Sequence, residues 1–161
     1  MRIYLDSSAI MKRYVEEKGT ENVDVVYEAV ERDEGQRLTF SLWNVGEVIG
    51  AMDERNRRGD IERAAMSRAV ALFVGETRKF VAMRKLVVLP VGSRVLEESR
   101  DLVLKYHIYQ ADALQLASAR QSASVLILTA DRKLAECAES EKLQVANPEK
   151  DRRAIADALN E

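Results

Sequence analysis

Four acidic residues are notable because their neighbours in the sequence are apolar. Asp6 directly follows a short apolar run, and Asp131 follows another one after two intervening residues. Glu47 and Asp112 lie among small or apolar residues. A carboxylate in apolar surroundings costs free energy unless a cation pairs with it. No matching run of Lys or Arg accompanies these residues. A divalent metal ion is therefore the simplest partner that the four could share.

Composition restricts the ligands that such a metal could have. The chain of 161 residues contains one cysteine, Cys137, and one histidine, His107. These counts exclude an internal disulfide framework, a thiolate zinc site and a site with several histidines. The ligands must therefore be mostly oxygens. Aromatic residues make up only 6% of the chain, which argues against a base-stacking surface of the single-strand-binding kind.

Each acid also has an ordinary structural interpretation. Asp6 and Asp131 are suitable N-cap residues for the helices predicted after them. Asp112, in a first helical turn, is favoured by the helix dipole. Glu47 could be a partly exposed helix residue. One shared cause nevertheless explains the four positions more simply than four independent accidents.

The elements that position these acids alternate between short strands and longer helices. Strands are predicted at Ile3–Leu5, Leu38–Phe40, Leu86–Val91, Val125–Leu128 and Leu143–Val145. Helices are predicted at about residues 8–17, 20–33, 42–58, 60–85, 93–105, 110–122 and 131–140, with a last helix after Pro148. The alternation favours an α/β sandwich with a mostly parallel sheet. The run Leu86–Val91 is typical of a strand buried on both faces, and ligands of such sheets bind beyond the carboxyl ends of the strands.

The distribution of charge is more informative than its sum. The formal net charge is −2, but the segment Asp53–Lys85 has nine Lys or Arg against five Asp or Glu, a local charge of +4. This segment could contact a polyanion or could simply be a solvated helix surface. No run reaches the roughly 18 apolar residues that span a bilayer, and Asp6 interrupts the N-terminus before a signal-peptide core. We expect a cytoplasmic protein with no membrane contact.

Four segments resemble the motifs of PIN domains, specifically those of the VapC-type toxins of bacterial and archaeal toxin–antitoxin pairs. They are Leu5–Ile10, Asn44–Val48, Ala111–Ala117 and Leu128–Leu134, each with one of the four acids. The resemblance extends from Arg2 to about Val145, and its more specific part is the separation of 19 positions between Asp112 and Asp131.

This resemblance implies a PIN-like three-layer α/β/α sandwich with a central sheet of four to five strands. Residues 1–146 would form the nuclease domain, and residues 147–161 would form a C-terminal helical tail of the same domain. It further implies an endoribonuclease that hydrolyses RNA phosphodiester bonds with metal-activated water. A homodimer and a cognate VapB-type antitoxin that covers the acidic groove are implied partners.

Carried over residue by residue, the resemblance makes Asp6, Glu47, Asp112 and Asp131 the catalytic and metal-binding cluster. Oxygen ligands suit Mg²⁺ or Mn²⁺, bound as one or two ions. Asp6 and Asp112 are expected to be the strongest ligands. Glu47 would bind metal or orient the attacking water, and Asp131 would bind through water.

Two positions depart from the family pattern. Gln115 stands where many relatives have His, and we do not expect it to bind metal. Arg132 and Lys133 occupy the stretch where a further acid sometimes follows, which weakens the case for a second metal ion.

Other residues are assigned supporting roles. Ser8, Asn44 and Thr129 are expected to orient the acids through hydrogen bonds, the alternative being ordinary capping or turn bonds. Five basic residues are candidates for contact with substrate phosphates: Lys12, Arg13, Arg55, Arg57 and Arg58. The alternative for each of these is solvated charge. His107 is a possible general base, with a structural role as the alternative.

Three other functions remain open at this stage. A receiver-type phosphoacceptor domain needs paired acids near its first strand, and Asp6 has no acidic neighbour before Glu16. A haloacid-dehalogenase-type phosphotransferase needs an acid where Ser8 stands. The third is a catalytically inactive PIN-fold module that binds RNA or protein, and such a module should not be stabilised by Mn²⁺ in a metal titration.

Overall fold

A computed structural model describes residues 1–160, and its centre is one sheet of five parallel strands. The strands are β1 (Arg2–Leu5), β2 (Arg37–Ser41), β3 (Leu86–Leu89), β4 (Leu126–Leu128) and β5 (Gln144–Ala146). Their order across the sheet is β3-β2-β1-β4-β5. The predicted α/β fold with a parallel sheet is confirmed. Because the strands are parallel, their carboxyl ends all lie along one side of the sheet and their amino ends along the opposite side.

Eight helices connect and follow the strands within the described part of the chain. They are α1 (Ser7–Tyr14), α2 (Thr20–Arg32), α3 (Leu42–Arg58), α4 (Arg63–Ala82), α5 (Ser93–Tyr106), α6 (Gln110–Gln121), α7 (Arg132–Ser140) and α8 (Arg152–Leu159). None of these helices combines the length and apolar character that a membrane crossing requires.

The sheet has a hydrophobic core on each face, because side chains along a strand alternate between faces. In β1, Ile3 and Leu5 belong to one core, which α1, α2, α3, α4 and α8 cover. Tyr4 belongs to the other core, which α5, α6 and α7 cover. The result is three layers, with the fully buried β1 at the centre. A residue that directly follows β1 is therefore held by the most rigid part of the fold.

The structure corrects the predicted burial of the third strand. β3 is an outer strand, and Val87 is 36% exposed, so the apolar run does not lie between two covered faces. The strand ends at Leu89 rather than Val91, since Pro90 has no N–H to donate to the ladder.

Two helix starts also differ from the prediction. The long helix α4 begins at Arg63 after the N-cap Glu62, not at Asp60, and ends at Ala82. For α2 the N-cap is Gly19 rather than Thr20, and the Thr20 hydroxyl donates to the Lys12 carbonyl. The capping role of Ser41 is confirmed, since its side chain and that of Asn44 form a reciprocal capping box.

The segment after β5 packs against the start of α2. Asn22 Nδ2 donates to the Pro148 carbonyl over 2.7 Å. Gly19 has a φ of +92°, and a Cβ at this position would lie 2.7 Å from the same carbonyl oxygen, so only glycine fits. Further on, α8 buries Ile155 and Ala158 in the first core. The last residue of the predicted tail, Glu161, lies outside the described residues.

Candidate active site

The carboxyl ends of β1 and β4 bring Asp6 and Asp131 to the same edge of the sheet. The two strands are adjacent and parallel, with Leu5 beside Leu128. The Asp6 N–H continues the ladder by donating to the Leu128 carbonyl over 3.1 Å. Thr129 extends β4 by donating to the Ala146 carbonyl over 3.2 Å. Residues that are far apart in sequence are thereby placed side by side.

Asp6 is almost completely buried and accepts hydrogen bonds on both carboxylate oxygens. Oδ1 accepts from Ser8 Oγ and from the Ala9 N–H, both over 2.7 Å, and Oδ2 accepts from Thr129 Oγ1 over 2.6 Å. Burial raises the pKa of Asp6 to about 6, and the negative charge of Asp131 adds to the rise although these hydrogen bonds oppose it. Asp6 thus caps α1 and also forms part of the acidic site.

Asp131 is exposed, and its position is fixed by α7 and by Thr129. Its Oδ1 accepts from the Leu134 N–H over 2.8 Å, which makes it the N-cap of α7. Its own N–H donates to Thr129 Oγ1 over 2.9 Å. The preceding Ala130 N–H donates to Ser8 Oγ over 3.0 Å. The hydroxyls predicted to orient the acids at Ser8 and Thr129 therefore both connect the β1 end to the β4 end.

Glu47 lies half-buried on α3 and is held from two sides through one oxygen. Ser7 Oγ donates to Glu47 Oε2 over 2.6 Å, and Gln115 Nε2 donates to the same oxygen over 3.2 Å. Asn44 does not contact Glu47 but donates to Ser7 Oγ over 3.0 Å and to Gln115 Oε1 over 2.8 Å. The predicted support from Asn44 thus acts through two intermediate residues.

Asp112 lies in the first turn of α6 and is half-buried. Burial raises its pKa, and the negative charges of Asp131 and Glu47 raise it further, while Lys133 partly opposes them. Asp131 also acts on Asp6 in this way. The charge of Asp131 therefore acts on both Asp6 and Asp112, and that of Glu47 acts on Asp112, which defines one negative field at this edge.

The donor chemistry of this edge fits a hard divalent cation. All four candidate ligands are carboxylates, which Mg²⁺ and Mn²⁺ prefer, and a cation would offset the burial and the repulsion that together raise the pKa of Asp6 and Asp112. Within residues 1–160 no three His, Cys, Asp or Glu side chains are grouped closely enough to hold a metal ion. The observation that supports a metal is therefore the shared field and not a preformed cage.

Two of the basic residues predicted to contact substrate phosphates are paired with carboxylates. Lys12 is only 3% exposed, and its ammonium pairs with Glu17 over 3.0 Å and with Glu149 over 2.7 Å. Arg13 is similarly engaged by two carboxylates. Contact of either residue with a substrate stays a prediction, and it would require the cation to leave these partners.

The three arginines at the end of α3 differ in exposure. Arg55 is partly buried and pairs with Glu17. Arg57 pairs with Asp53 over 2.9 Å and Arg58 pairs with Glu54, but the two arginine side chains are 69% and 67% exposed. Pairs at the surface contribute little free energy. Arg57 and Arg58 therefore remain able to exchange these partners for phosphates.

A cavity of about 440 Å³ adjoins Glu47. Ser7, Ser8, Glu47 and Arg55 contribute to its walls. Glu17 and Glu54 also line it, so the cavity connects Glu47 with a part of the surface where acidic and basic side chains are mixed.

His107 ends α5 in the left-handed region with a φ of 53°, and its carbonyl accepts from Lys133. Both of these features belong to the backbone of His107, and its role as a general base stays a prediction.

Sequence reasoning missed Ser7 and Tyr4 as parts of the site. Tyr4 is fully buried, and its hydroxyl donates to Asn44 Oδ1 over 2.8 Å. The position of Ser7 next to Asp6 was a usable signal, since the first turn of a helix after an acidic strand end faces the same edge. No local pattern marked Tyr4, whose partner is 40 positions away.

Solved structures that are similar to this chain come from several organisms, and one of them is a toxin. FitAcB from Neisseria gonorrhoeae is 18% identical, with a TM-score of 0.60, over 91% of this chain and 97% of that chain. VapBC2 from Rickettsia felis, bound to a DNA fragment from its promoter, is 10% identical, with a TM-score of 0.61, over 91% and 98%. VapC20 from Mycobacterium tuberculosis, a toxin that cleaves the sarcin-ricin loop, is 14% identical, with a TM-score of 0.58, over 83% and 93%.

These identities establish a shared fold. Among curated proteins, none matches the chain by sequence. The PIN domain family matches residues 3–140, which contain β1 without its first residue, β2 to β4 and all four acids. The chain belongs to the PIN domain family.

Proposed function

We propose that the protein is a Mg²⁺- or Mn²⁺-dependent endoribonuclease that hydrolyses RNA phosphodiester bonds. The geometry that carries this proposal lies at the carboxyl edge of the sheet, where the ends of β1 and β4 place Asp6 and Asp131 side by side and Ser7, next to Asp6, donates to Glu47. Burial and the negative charge of neighbouring acids both raise the pKa of Asp6 and of Asp112, and a cationic ligand would offset both effects. A divalent ion is suited to hydrolysis of a phosphodiester, because it stabilises negative charge on the phosphoryl oxygens and activates water.

The four acids divide the work of the reaction. Asp6, Asp112 and Asp131 would hold the ion, directly or through water, with Glu47 as a further ligand or as the residue that orients water. When bound, the ion supplies positive charge to the phosphoryl oxygens and makes water more acidic. Ser7 and Gln115 both act on Oε2 of Glu47, so Oε1 is available to orient the attacking water.

A toxin of a VapBC-type pair is the biological role that we favour. The solved structures with this fold include the VapBC2 and FitAcB proteins and the toxin VapC20. A cognate VapB-type antitoxin would inhibit cleavage by covering the acidic edge, and a homodimer is the proposed assembly. Arg57 and Arg58 would contact the RNA backbone beyond the cavity that adjoins Glu47.

The second candidate is a catalytically inactive PIN-fold module that binds RNA or protein. One observation favours it: the described part of the chain contains no compact group of three metal-binding side chains. The two candidates differ in their response to metal. A nuclease gains stability and activity with Mn²⁺, whereas a binding module gains neither.

Cleavage of a mixed pool of structured RNAs by the purified chain tests the proposal. EDTA should abolish cleavage and Mn²⁺ should restore it. Asp6→Asn and Asp112→Asn should each abolish it while retaining the fold, which circular dichroism checks. Asp101→Asn is the matched control, because Asp101 is exposed on α5 and pairs only with its neighbour Arg100. Cleavage that persists in EDTA or in both variants would refute the assignment, and a DNA pool tests selectivity for RNA.

A further inference from the structure

Gln115 connects three helices near the acidic edge. It is 5% exposed, and it lies on α6 three positions after Asp112. Its Oε1 accepts from Asn44 Nδ2 over 2.8 Å and from the Ser7 N–H over 3.3 Å. Its Nε2 donates to Glu47 Oε2 over 3.2 Å. The amide therefore joins α6 to α3 and to the start of α1.

The contacts of Asn44 fix which way the Gln115 amide points. Asn44 Oδ1 accepts from Tyr4 Oη over 2.8 Å and from the Ser41 N–H over 2.8 Å. The Ser41 N–H can only donate, so the atom facing it must be the Asn44 oxygen. Asn44 Nδ2 must then donate to Gln115 Oε1, and Gln115 Nε2 must face Glu47. The series of hydrogen bonds that runs from Tyr4 through Asn44 and Gln115 therefore ends on the Glu47 carboxylate.

We propose that Gln115 is a positioning residue that holds Glu47 in register with Asp112. Residues 112 and 115 lie one helical turn apart on the same face of α6, whereas Glu47 lies on α3. Within residues 1–160 the Gln115 amide makes the one side-chain hydrogen bond from α6 to Glu47. The other contact to Glu47 comes from Ser7, beside Asp6. Gln115 and Ser7 together set the distances from Glu47 to Asp112 on α6 and to Asp6 after β1.

This inference rests on the proposed function, because it assigns Glu47 to the reaction. Gln115 itself contacts neither the RNA nor the ion in this scheme. Groups that orient metal ligands typically change metal affinity or activity by about 10–100-fold when they are removed. A residue that only supports the core would change stability and leave these quantities unaltered.

Two substitutions separate positioning from structural support. Gln115→Glu keeps an oxygen that can accept from Asn44 and Ser7, but it places a second oxygen opposite Glu47 Oε2 and replaces attraction with repulsion. Gln115→Met has a similar length and removes all three hydrogen bonds. The matched controls are Gln121→Glu and Gln121→Met. Gln121 lies on the same helix, and its Nε2 donates to Glu98 Oε2 over 3.3 Å.

The experiment measures kcat and KM for RNA cleavage, and Mn²⁺ binding by titration calorimetry, at about pH 8, where a glutamate is normally ionised. We expect Gln115→Met to lower kcat and Mn²⁺ affinity by at least about tenfold, and Gln115→Glu to lower kcat by at least about tenfold, with KM for RNA unchanged. The Gln121 variants should match the wild type. Melting in EDTA identifies any variant that fails to fold, and if Gln115→Met does so, Gln115→Glu still decides.

The possible results separate this inference from the proposed function. If the wild type cleaves RNA and Gln115→Glu has wild-type kcat, the positioning role is wrong and the proposed function stands. If the wild type binds Mn²⁺ but cleaves no RNA, the proposed function is wrong, and weaker Mn²⁺ binding by folded Gln115→Met still supports the positioning role. A wild type that neither binds Mn²⁺ nor cleaves overturns both.

Discussion

The Thr129 hydroxyl donates to Oδ2 of Asp6 over 2.6 Å and so connects the carboxyl ends of β4 and β1. The hydroxyl oxygen of Thr129 also accepts from the Asp131 N–H over 2.9 Å. Thr129 is fully buried, which leaves no access for a water molecule to take its place. One side chain therefore sets the positions of two of the four acids.

Thr129→Val should weaken both the fold and the site. Valine has nearly the same shape but no hydroxyl, so Asp6 Oδ2 and the Asp131 N–H each lose a partner. We expect the free energy of unfolding to fall by about 1–3 kcal/mol and cleavage to fall by at least about tenfold. Urea denaturation and RNA cleavage measure the two effects. Thr129→Ser keeps the hydroxyl and should retain activity; wild-type behaviour of the valine variant would show that the hydroxyl is dispensable.

The stability of the metal-free protein should depend on pH through Asp6. Burial raises the pKa of Asp6 to about 6 in the folded chain, whereas an aspartate in an unfolded chain titrates near about 3.9. Between these values the folded state binds more protons than the unfolded state, so the stability that Asp6 contributes falls as pH rises through this window. The loss is complete above the folded pKa.

Asp6→Asn removes this titration and provides the measurement. From about pH 4 to about pH 7, the free energy of unfolding of Asp6→Asn should rise by about 2–3 kcal/mol relative to that of the wild type. Urea denaturation in EDTA at both pH values measures the shift. Asp101→Asn, which replaces an exposed carboxylate, should show no such change. A constant difference between Asp6→Asn and wild type would contradict the burial of an ionisable Asp6.

Much of the fold follows from local sequence signals. Ser41 and Asp131 were recognisable as caps because capping depends on residues three positions away. The position of β3 at the edge of the sheet could not be predicted, because an apolar run such as Leu86–Leu89 does not indicate whether the strand has one neighbouring strand or two. The helix α4 covers part of this strand, which accounts for the apolar character of β3 despite the exposure of Val87.

The site shows the same division between local and long-range information. Ser8 is two positions from Asp6, and its hydrogen bond to Asp6 could be anticipated. The bond from Gln115 to Glu47 joins residues 68 positions apart, and the pair of Lys12 with Glu149 joins residues 137 positions apart. Such contacts depend on how helices pack, so the sequence indicated neither the support of Glu47 nor the burial of Lys12.

Lys12→Met should destabilise the protein without a specific effect on RNA binding. Methionine removes the buried ammonium, so that Glu149 loses its cation and Glu17 keeps only Arg55. We expect the free energy of unfolding to fall by about 3 kcal/mol, since removing one member of a buried ion pair is strongly destabilising. Urea denaturation measures the loss. Lys18→Met is the control, because Lys18 is exposed in the neighbouring loop.

RNA affinity of the folded Lys12→Met protein should keep its wild-type dependence on salt. This result follows from the neutralisation of Lys12 by the chain's own carboxylates. A reduced salt dependence would show instead that Lys12 reaches a phosphate in the complex, and would support the role predicted from the sequence.

Arg57→Ala should reduce the salt dependence of RNA binding. Arg57 lies ten positions after Glu47 on α3, which corresponds to about 15 Å along the helix, and its side chain is 69% exposed. If it neutralises one phosphate, the slope of log affinity against log salt should fall by roughly one. Binding is measured in an Asp112→Asn background so that the RNA stays intact.

Arg32→Ala is the matched control for Arg57. Arg32 also forms an exposed pair with an acid four positions earlier, Glu28, but it ends α2 at the opposite edge of the sheet, where the chain enters β2. Its loss should leave the slope unchanged. Equal slopes for the two variants would exclude Arg57 from the RNA interface, because a phosphate contact at the end of α3 changes the slope of one variant and not of the other.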